Sequence, residues 1–175
     1  MSALPVVRQE SPLTCGAASL KCVLLHFGVE EMSEESLAQK LGTDGEGTEP
    51  EAIARVARDH RLWALHERGL TVEHLREYLL KGSVPIVSFQ AWPTHAECSQ
   101  GQQGWKDEDR NGHYAPVQEV TSSHIVLMDP SVEGGQSRIE HEEFLRCWHD
   151  VGEHEEKLVR SAIIVRQLES AEGES

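Results

Sequence analysis

Cys15 follows Thr14 at the head of an apolar run, Ala17, Leu20, Val23, Leu24 and Phe27, whose spacing is helical. A cysteine at the first position of a helix meets unpaired backbone N–H groups and the positive end of the helix dipole. Both favour the thiolate, which is the nucleophilic form. Gly16 beside it leaves room for another part of the chain to approach. Gln9 lies six residues earlier, in the extended segment Val6-Val7-Arg8-Gln9. An amide held beside the Cys15 N–H can donate to an oxyanion as it develops. His113, in Asn111-Gly112-His113-Tyr114, is the candidate base, and Asp129, sixteen residues on in Leu127-Met128-Asp129-Pro130, is its candidate orienting acid. A hairpin turning near residues 121 to 123 sets position 113 opposite 129, to within one or two residues. Opposed residues of an antiparallel pair share a face, with Cβ atoms about 5 Å apart. A thiolate, an imidazole and a carboxylate so placed can carry acyl transfer through a covalent intermediate.

Each residue also has a plainer reading. Cys15 alone is equally a small buried side chain at a helix start. Gln9 alone is a surface glutamine, and Asp129-Pro130 can simply end a strand in a turn. With ten histidines in the chain, one histidine says little. The case for chemistry lies in the four residues together.

The elements that must position them come from the hydrophobic pattern. Thr14 reads as the N-cap of a first helix that Gly28 ends. A second helix fits Ser33 to Leu41, closed by Gly42, and a third begins at Thr48, with Thr48 and Glu51 as a capping box and Ile53, Val56 and Ala57 inward. A fourth runs from about Val72 to Leu80 and stops at Gly82. Strands follow: Val84 to Phe89, His113 to Val120, His124 to Met128 and Val159 to Val165, with a short helix at about Glu142 to His149 before the last. Pro116 cannot donate to a ladder, which marks its place in the second strand as an edge or a bulge. A long loop, about Trp92 to Gly112, separates the first two strands, and loops of that length are usually functional or mobile. Helices first and strands afterwards make an α+β domain, a helical lobe packed on an antiparallel sheet. Residues 1–168 are expected to form one domain and residues 169–175 a polar tail.

Composition excludes several functions. With 16 Lys and Arg against 30 Asp and Glu, the net charge of −14 repels phosphate backbones, so no nucleic-acid partner is expected. The acidic residues are spread out, as on a solvated surface. Apolar stretches such as Ile125 to Met128 and Ala162 to Val165 are too short to cross a bilayer, and Met1-Ser2-Ala3-Leu4-Pro5 carries no secretory signal. A cytoplasmic protein without membrane insertion is the expectation. Without a secretory signal the four cysteines, Cys15, Cys22, Cys98 and Cys147, are expected to be reduced thiols, and their scatter, with no C-x-x-C pair, argues against a closed zinc site. Cys22 and His26 sit four apart on one helix face, and His95-Ala96-Glu97-Cys98 and His141-Glu142-Glu143 hold potential ligands. None has a partner pair or H-E-x-x-H spacing, so packing or solvation is expected of each, with no metal and no cofactor. Trp148-His149-Asp150 can place a second His–Asp pair near the site but reads as structural, a helix end held on the sheet by Trp148.

The run Gln9-Glu10-Ser11-Pro12-Leu13-Thr14-Cys15-Gly16-Ala17-Ala18-Ser19-Leu20 resembles the double-glycine leader (bacteriocin-processing) peptidases. These are papain-like cysteine peptidase domains found at the N-termini of peptide-exporting ABC transporters, and their stand-alone relatives. Gly42-Thr43 and Gly47-Thr48, then Gly112-His113-Tyr114 and Met128-Asp129-Pro130-Ser131, continue the resemblance, which covers most of residues 4 to 135. It implies that Gln9, Cys15, His113 and Asp129 act as oxyanion donor, nucleophile, base and orienting acid. It further implies peptide-bond hydrolysis through a thioester, narrow subsites for small residues such as glycine, and a peptide or protein substrate. No exporter or ATPase segment accompanies the motifs within the 175 residues, so a stand-alone member is expected and any partner exporter is unknown. The loop Trp92 to Gly112 is long for a minimal domain of this type; Trp92 and Trp105 can wall a cleft or belong to the core. Two alternatives remain beside the peptidase: an acyltransferase using the same triad, and a non-catalytic peptide-binding module on the same fold.

Overall fold

The computed structural model describes residues 3–91, 111–152 and 155–168. The expectations for Trp92, Trp105, the His95–Cys98 stretch and the tail 169–175 lie outside the described residues. The chain opens with an extended segment and then forms α1 (Cys15–His26), α2 (Glu34–Leu41) and α3 (Pro50–Asp59). Next come β1 (Leu62–Glu67), α4 (Val72–Leu80), β2 (Val84–Gln90), β3 (Gly112–Val120), β4 (His124–Met128) and β5 (Gln136–Glu140). The short helix α5 (His141–Cys147), β6 (His149–Val151), β7 (Lys157–Val159) and β8 (Ala162–Gln167) complete it.

Six strands make one antiparallel sheet in the order β1-β8-β2-β3-β4-β5, and β6 with β7 forms a separate ribbon. The α+β class read from the sequence is the class observed. Alternation along the central strands divides the core in two. Ile86, Tyr114 and Ile163 join a cluster with Ala17, Leu20 and Val23 of α1, Leu37 of α2 and Ile53 of α3. Their neighbours Val87, Ala115 and Ile164 join the other cluster, with Leu75 and Leu79 of α4 and Phe144 of α5. Helices therefore cover both faces of the sheet. Each fully buried aliphatic side chain contributes about 1.5–3 kcal/mol of transfer free energy.

Local chemistry explains the helix ends. The Ser33 hydroxyl accepts from the Ser36 N–H and Gly42 takes the left-handed conformation at φ 70°, as its place after α2 requires. Thr71 and His74 close a capping box on α4. The box expected at Thr48 is not formed. Glu49 is the N-cap of α3, with Pro50 at the first position and no side-chain cap. Thr48 instead turns inward: its hydroxyl meets that of Thr43 at 2.7 Å and its carbonyl accepts from the Tyr114 hydroxyl at 2.8 Å.

Other differences are in the strands. β1 was not expected, nor were β5 and β6. The single strand expected over Val159 to Val165 is two, β7 and β8, broken where Arg160 takes a left-handed φ of 51°. The helix expected to reach His149 ends at Cys147. Pro116 is on no edge, since β3 lies between β2 and β4. A bulge does occur, two residues on at Gln118, between the pairs Val117–Leu127 and Glu119–Val126. No helix among the described residues is long and apolar enough to cross a membrane.

Candidate active site

Cys15 opens α1, with Thr14 at the N-cap position. Thr14 does not cap with its side chain, however. Its hydroxyl donates to the Ser11 carbonyl at 3.0 Å and accepts the Ser11 N–H at 3.1 Å. The N-cap thus makes no side-chain bond to the first N–H groups of α1, and no acidic residue stands in that helix's first turn. The positive end of the helix is left to whatever anion forms there. Cys15 is half-buried, whereas Cys22 and Cys147 are buried, donating to the carbonyls of Pro5 and Phe144. Burial pushes both of those thiols up to about 12. Cys98 lies outside the described residues.

His113, at the start of β3, and Asp129, just past β4, are joined by a 2.9 Å hydrogen bond from Nε2 to Oδ1. The bulge at Gln118 makes this possible. Continued from the pairs nearest the turn, Val120–Ile125 and Glu119–Val126, the register would set Pro116 opposite Asp129 and leave His113 on the other face. The extra residue shifts the register so that Ala115 comes opposite Asp129, and His113, two residues along, shares its face. The pairing expected from the sequence was thus two residues out, within its stated range.

Nε2 being committed to Asp129, Nδ1 is the ring nitrogen left for the sulfur, and His113 makes a side-chain hydrogen bond to Cys15. Burial alone would lower the imidazole's pKa. The bonds to Asp129 and Cys15 outweigh it and raise His113 to about 9. Burial likewise works to raise Asp129, but the His113 bond, with the Ser131 N–H at 3.0 Å and the Ser131 hydroxyl at 2.6 Å, brings it down to about 2. His113 and Asp129 are only 1% and 5% exposed, so their pairing is little screened. The imidazole is thus held by a carboxylate on one side and faces the Cys15 sulfur on the other.

Gln9 belongs to the extended segment that crosses this end of the sheet. Its backbone N–H donates to the Pro130 carbonyl at 2.9 Å, next to Asp129. The Glu10 N–H donates at 2.7 Å to Glu34, a fully buried carboxylate at the start of α2. The Gln9 Nε2 gives one hydrogen to the Ser11 carbonyl at 2.8 Å and keeps a second, while Oε1 is buried without a partner among the described residues. Gln9, Ser11 and Ser131 line one shallow cleft.

Several supporting residues escaped the sequence reading. Ser131 was quoted only as part of a motif; its place two residues after Asp129 is the signal of an Asx turn. Ser19, one turn beyond Cys15, donates at 3.0 Å to the carbonyl of Tyr114, tying the helix of the sulfur to the strand of the imidazole. Only tertiary structure reveals that bond. Phe89 stands edge-on to His113, with centroids 5.6 Å apart. Gly16 was expected to admit a backbone; what it admits is Thr48, whose Cβ would lie 2.9 Å from an added methyl.

A model of the peptidase C39 family matches residues 3–152. The chain belongs to the peptidase C39 family. It is therefore a cysteine peptidase by family. This C39 peptidase has the fold of the double-glycine motif protease of an AMS/PCAT transporter, solved with its leader peptide. Identity is 21%, coverage 94% of this chain and 92% of that one, and the TM-score 0.66. It is also similar to the peptidase domain of Streptococcus ComA, a bi-functional ABC transporter involved in quorum sensing, at 20% identity, 96% and 100% coverage and TM-score 0.69. A C39-like peptidase from Bacillus anthracis gives 13% identity, 97% and 100% coverage and TM-score 0.69. No curated protein matches.

The C39 peptidase holds a second chain of hydrogen bonds that resembles a triad. Ser161 meets His66 Nε2 at 2.7 Å, and Glu51 meets Nδ1 at 3.3 Å. Ser161 is fully buried, its carbonyl accepting from the Trp148 indole at 2.9 Å. Burial also lowers His66, against the opposing pull of Glu51. No substrate carbonyl can reach that hydroxyl, so this trio braces β1 against β8. Trp148 is buried, in keeping with the structural role expected of its segment.

Proposed function

We propose that this protein cleaves peptide bonds with Cys15 as nucleophile, His113 as base, Asp129 as orienting acid and Gln9 as oxyanion donor. The Cys15 sulfur attacks the scissile carbonyl carbon. Its oxygen takes up negative charge between the Cys15 N–H and the second N–H of the Gln9 amide. As the tetrahedral intermediate collapses, the imidazolium of His113 protonates the leaving amine, giving a thioester. His113 then deprotonates a water that releases the carboxylic acid and restores the thiol. No metal or cofactor enters these steps. The observation carrying the reading is the hydrogen-bonded line from Cys15 through His113 to Asp129 at an uncapped helix start.

The substrate is a peptide or protein. The leader peptide held by the AMS/PCAT protease supports a leader-type substrate here, cut after small residues such as glycine. Free thiols at Cys15, Cys22 and Cys147 support a reducing compartment, and the cytoplasm is the location proposed for the reaction. Stoichiometric iodoacetamide near neutral pH, mapped by mass spectrometry, tests the site. Selective labelling of Cys15, lost in His113→Ala, is expected. Equal labelling of all four cysteines would instead mark a binding module that retains the fold.

A further inference from the structure

Asp150 is a half-buried carboxylate that the proposed chemistry does not use, and it adjoins the strand bearing His113. It projects from β6 toward β2. One oxygen accepts from the Ser88 hydroxyl; the other accepts from the Gln90 amide at 3.1 Å and from the Val151 N–H at 2.9 Å. Ser88 and Gln90 are themselves fully buried, so neither donor has water as an alternative. Gln90 passes the constraint on: its carbonyl oxygen accepts the Asn111 N–H at 3.0 Å, and its amide nitrogen also donates to the His149 carbonyl at 3.3 Å. The carboxylate lies directly against Gly112, where an added Cβ would stand 2.5 Å and 2.9 Å from its two oxygens. Residues 111 and 112 are therefore fixed from the β6 side, while the Ser19 bond to the Tyr114 carbonyl fixes the strand from α1. His113 lies between these two anchors.

We infer that Asp150 is a positioning residue, which, through Gln90 and Gly112, holds the β3 backbone where the His113 ring reaches Cys15. A carboxylate suits the task because Ser88, Gln90 and Val151 all present donors to it, and an apolar side chain would strand them. Burial raises the pKa of Asp150 against the opposing pull of those same donors. That cost is consistent with a group kept for its geometry rather than for net stability. The two neighbouring His–Asp sequences thus differ in work: His113 and Asp129 bond directly, whereas Asp150 acts on His113 only through the backbone.

The inference rests on the proposed roles of Cys15 and His113, and the experiment separates the two. Rates of Cys15 alkylation by iodoacetamide are measured from pH 5 to 10 in the wild type, Asp150→Asn, Gly112→Ala and the double variant Asp150→Ala/Gly112→Ala, with kcat and KM on a peptide substrate. In Asp150→Asn the acid limb of the alkylation profile is expected to move up by about one pH unit, and kcat to fall about tenfold with KM within twofold. Gly112→Ala is expected to show the same shift, because the new methyl displaces the carboxylate. The double variant, with room for that methyl, is expected to recover part of the Gly112→Ala loss. A cooperative melt distinguishes these effects from unfolding. If Asp150→Asn does not fold, Ser88→Ala, which removes a single donor, serves in its place and is expected to shift the limb in the same direction. A wild type without selective Cys15 labelling sinks the site assignment itself. A selectively labelled wild type whose folded variants have identical profiles and kcat overturns the role of Asp150 alone.

Discussion

At the scale of residues, the site is a competition between burial and pairing, and its outcome sets the pH response. His113 is raised to about 9 from an ordinary 6.5, because its bonds to Asp129 and Cys15 outweigh its desolvation. Its stabilising contribution is therefore complete below pH 6.5 and is lost as the pH rises through 9. Asp129 is lowered to about 2 from 3.8, so its contribution is complete above 3.8 and lost as the pH falls through 2. The melting temperature should hold between those windows and decline on the alkaline side; calorimetry from pH 5 to 10 that shows no such decline counts against the pairing. Peptide turnover should fall as the pH rises through about 9, since an imidazole that has lost its proton cannot protonate the leaving amine. Asp129→Asn keeps the shape, removes the charge and can stabilise the wrong tautomer. A loss in kcat on the order of 10²–10⁴-fold is expected, read by steady-state kinetics. A variant within a few-fold of wild type would remove Asp129 from the site.

At the scale of elements, the register fixed across the Gln118 bulge decides whether the base and its acid meet, and a deletion separates register from bend. Removing Gln118 leaves Val117–Leu127 and Glu119–Val126 as consecutive pairs, so His113 and Asp129 keep one face and only the local kink is lost. Turnover should persist, reduced only by the lost bend, while circular dichroism still shows the sheet. Gln118→Ala keeps the extra residue and loses only the bond from the Leu4 N–H, so it should stay within a few-fold of wild type. Abolished turnover in a folded deletion variant would show that the bend at the bulge, and not the register alone, brings the two together. That bulge was not legible beforehand: Pro116 signalled an irregular strand, but nothing local placed the extra residue at Gln118. Elements with their own punctuation were legible, such as α2 between Ser33 and Gly42 and the hairpin turning at Thr121 to Ser123. β1 and β5 were not, because β1 is held by β8 from the far end of the chain and β5 alternates only weakly between exposed and half-buried residues. Thr48 misled in a different way. Its spacing from Glu51 fits a capping box, yet Gly16 and Tyr114 offer it inward partners and Pro50 starts the helix instead.

At the scale of the molecule, the sheet separates two cores, and the site draws on both. α1, with Cys15, rests on one core, and the ring of His113 stands against the other. Cys15 and its motif could be read in the sequence because the helix start is local; the wall behind His113 could not, because it is built from β2, α5 and the segment after it. That wall is a line of rings running from His113 to Phe89, then Phe144 at 6.3 Å from Phe89, then Trp148 at 4.8 Å from Phe144. Phe144 is fully buried in the core opposite the one that α1 rests on, which makes it a probe of whole-fold coupling. Phe144→Ala leaves a cavity expected to cost about 3–5 kcal/mol. For a chain of this size that corresponds to a fall of roughly 6–20 °C in Tm. The consequence for the site follows from packing: Phe89 loses the ring behind it, His113 loses its lateral stop, and kcat should drop several-fold at temperatures well below the melt. Alkylation of Cys15 near neutral pH should slow with it, since the imidazole is held less closely to the sulfur. A variant that melts earlier but keeps wild-type kcat and alkylation would mean that the Asp129 bond alone fixes the ring and that the core behind it serves stability only.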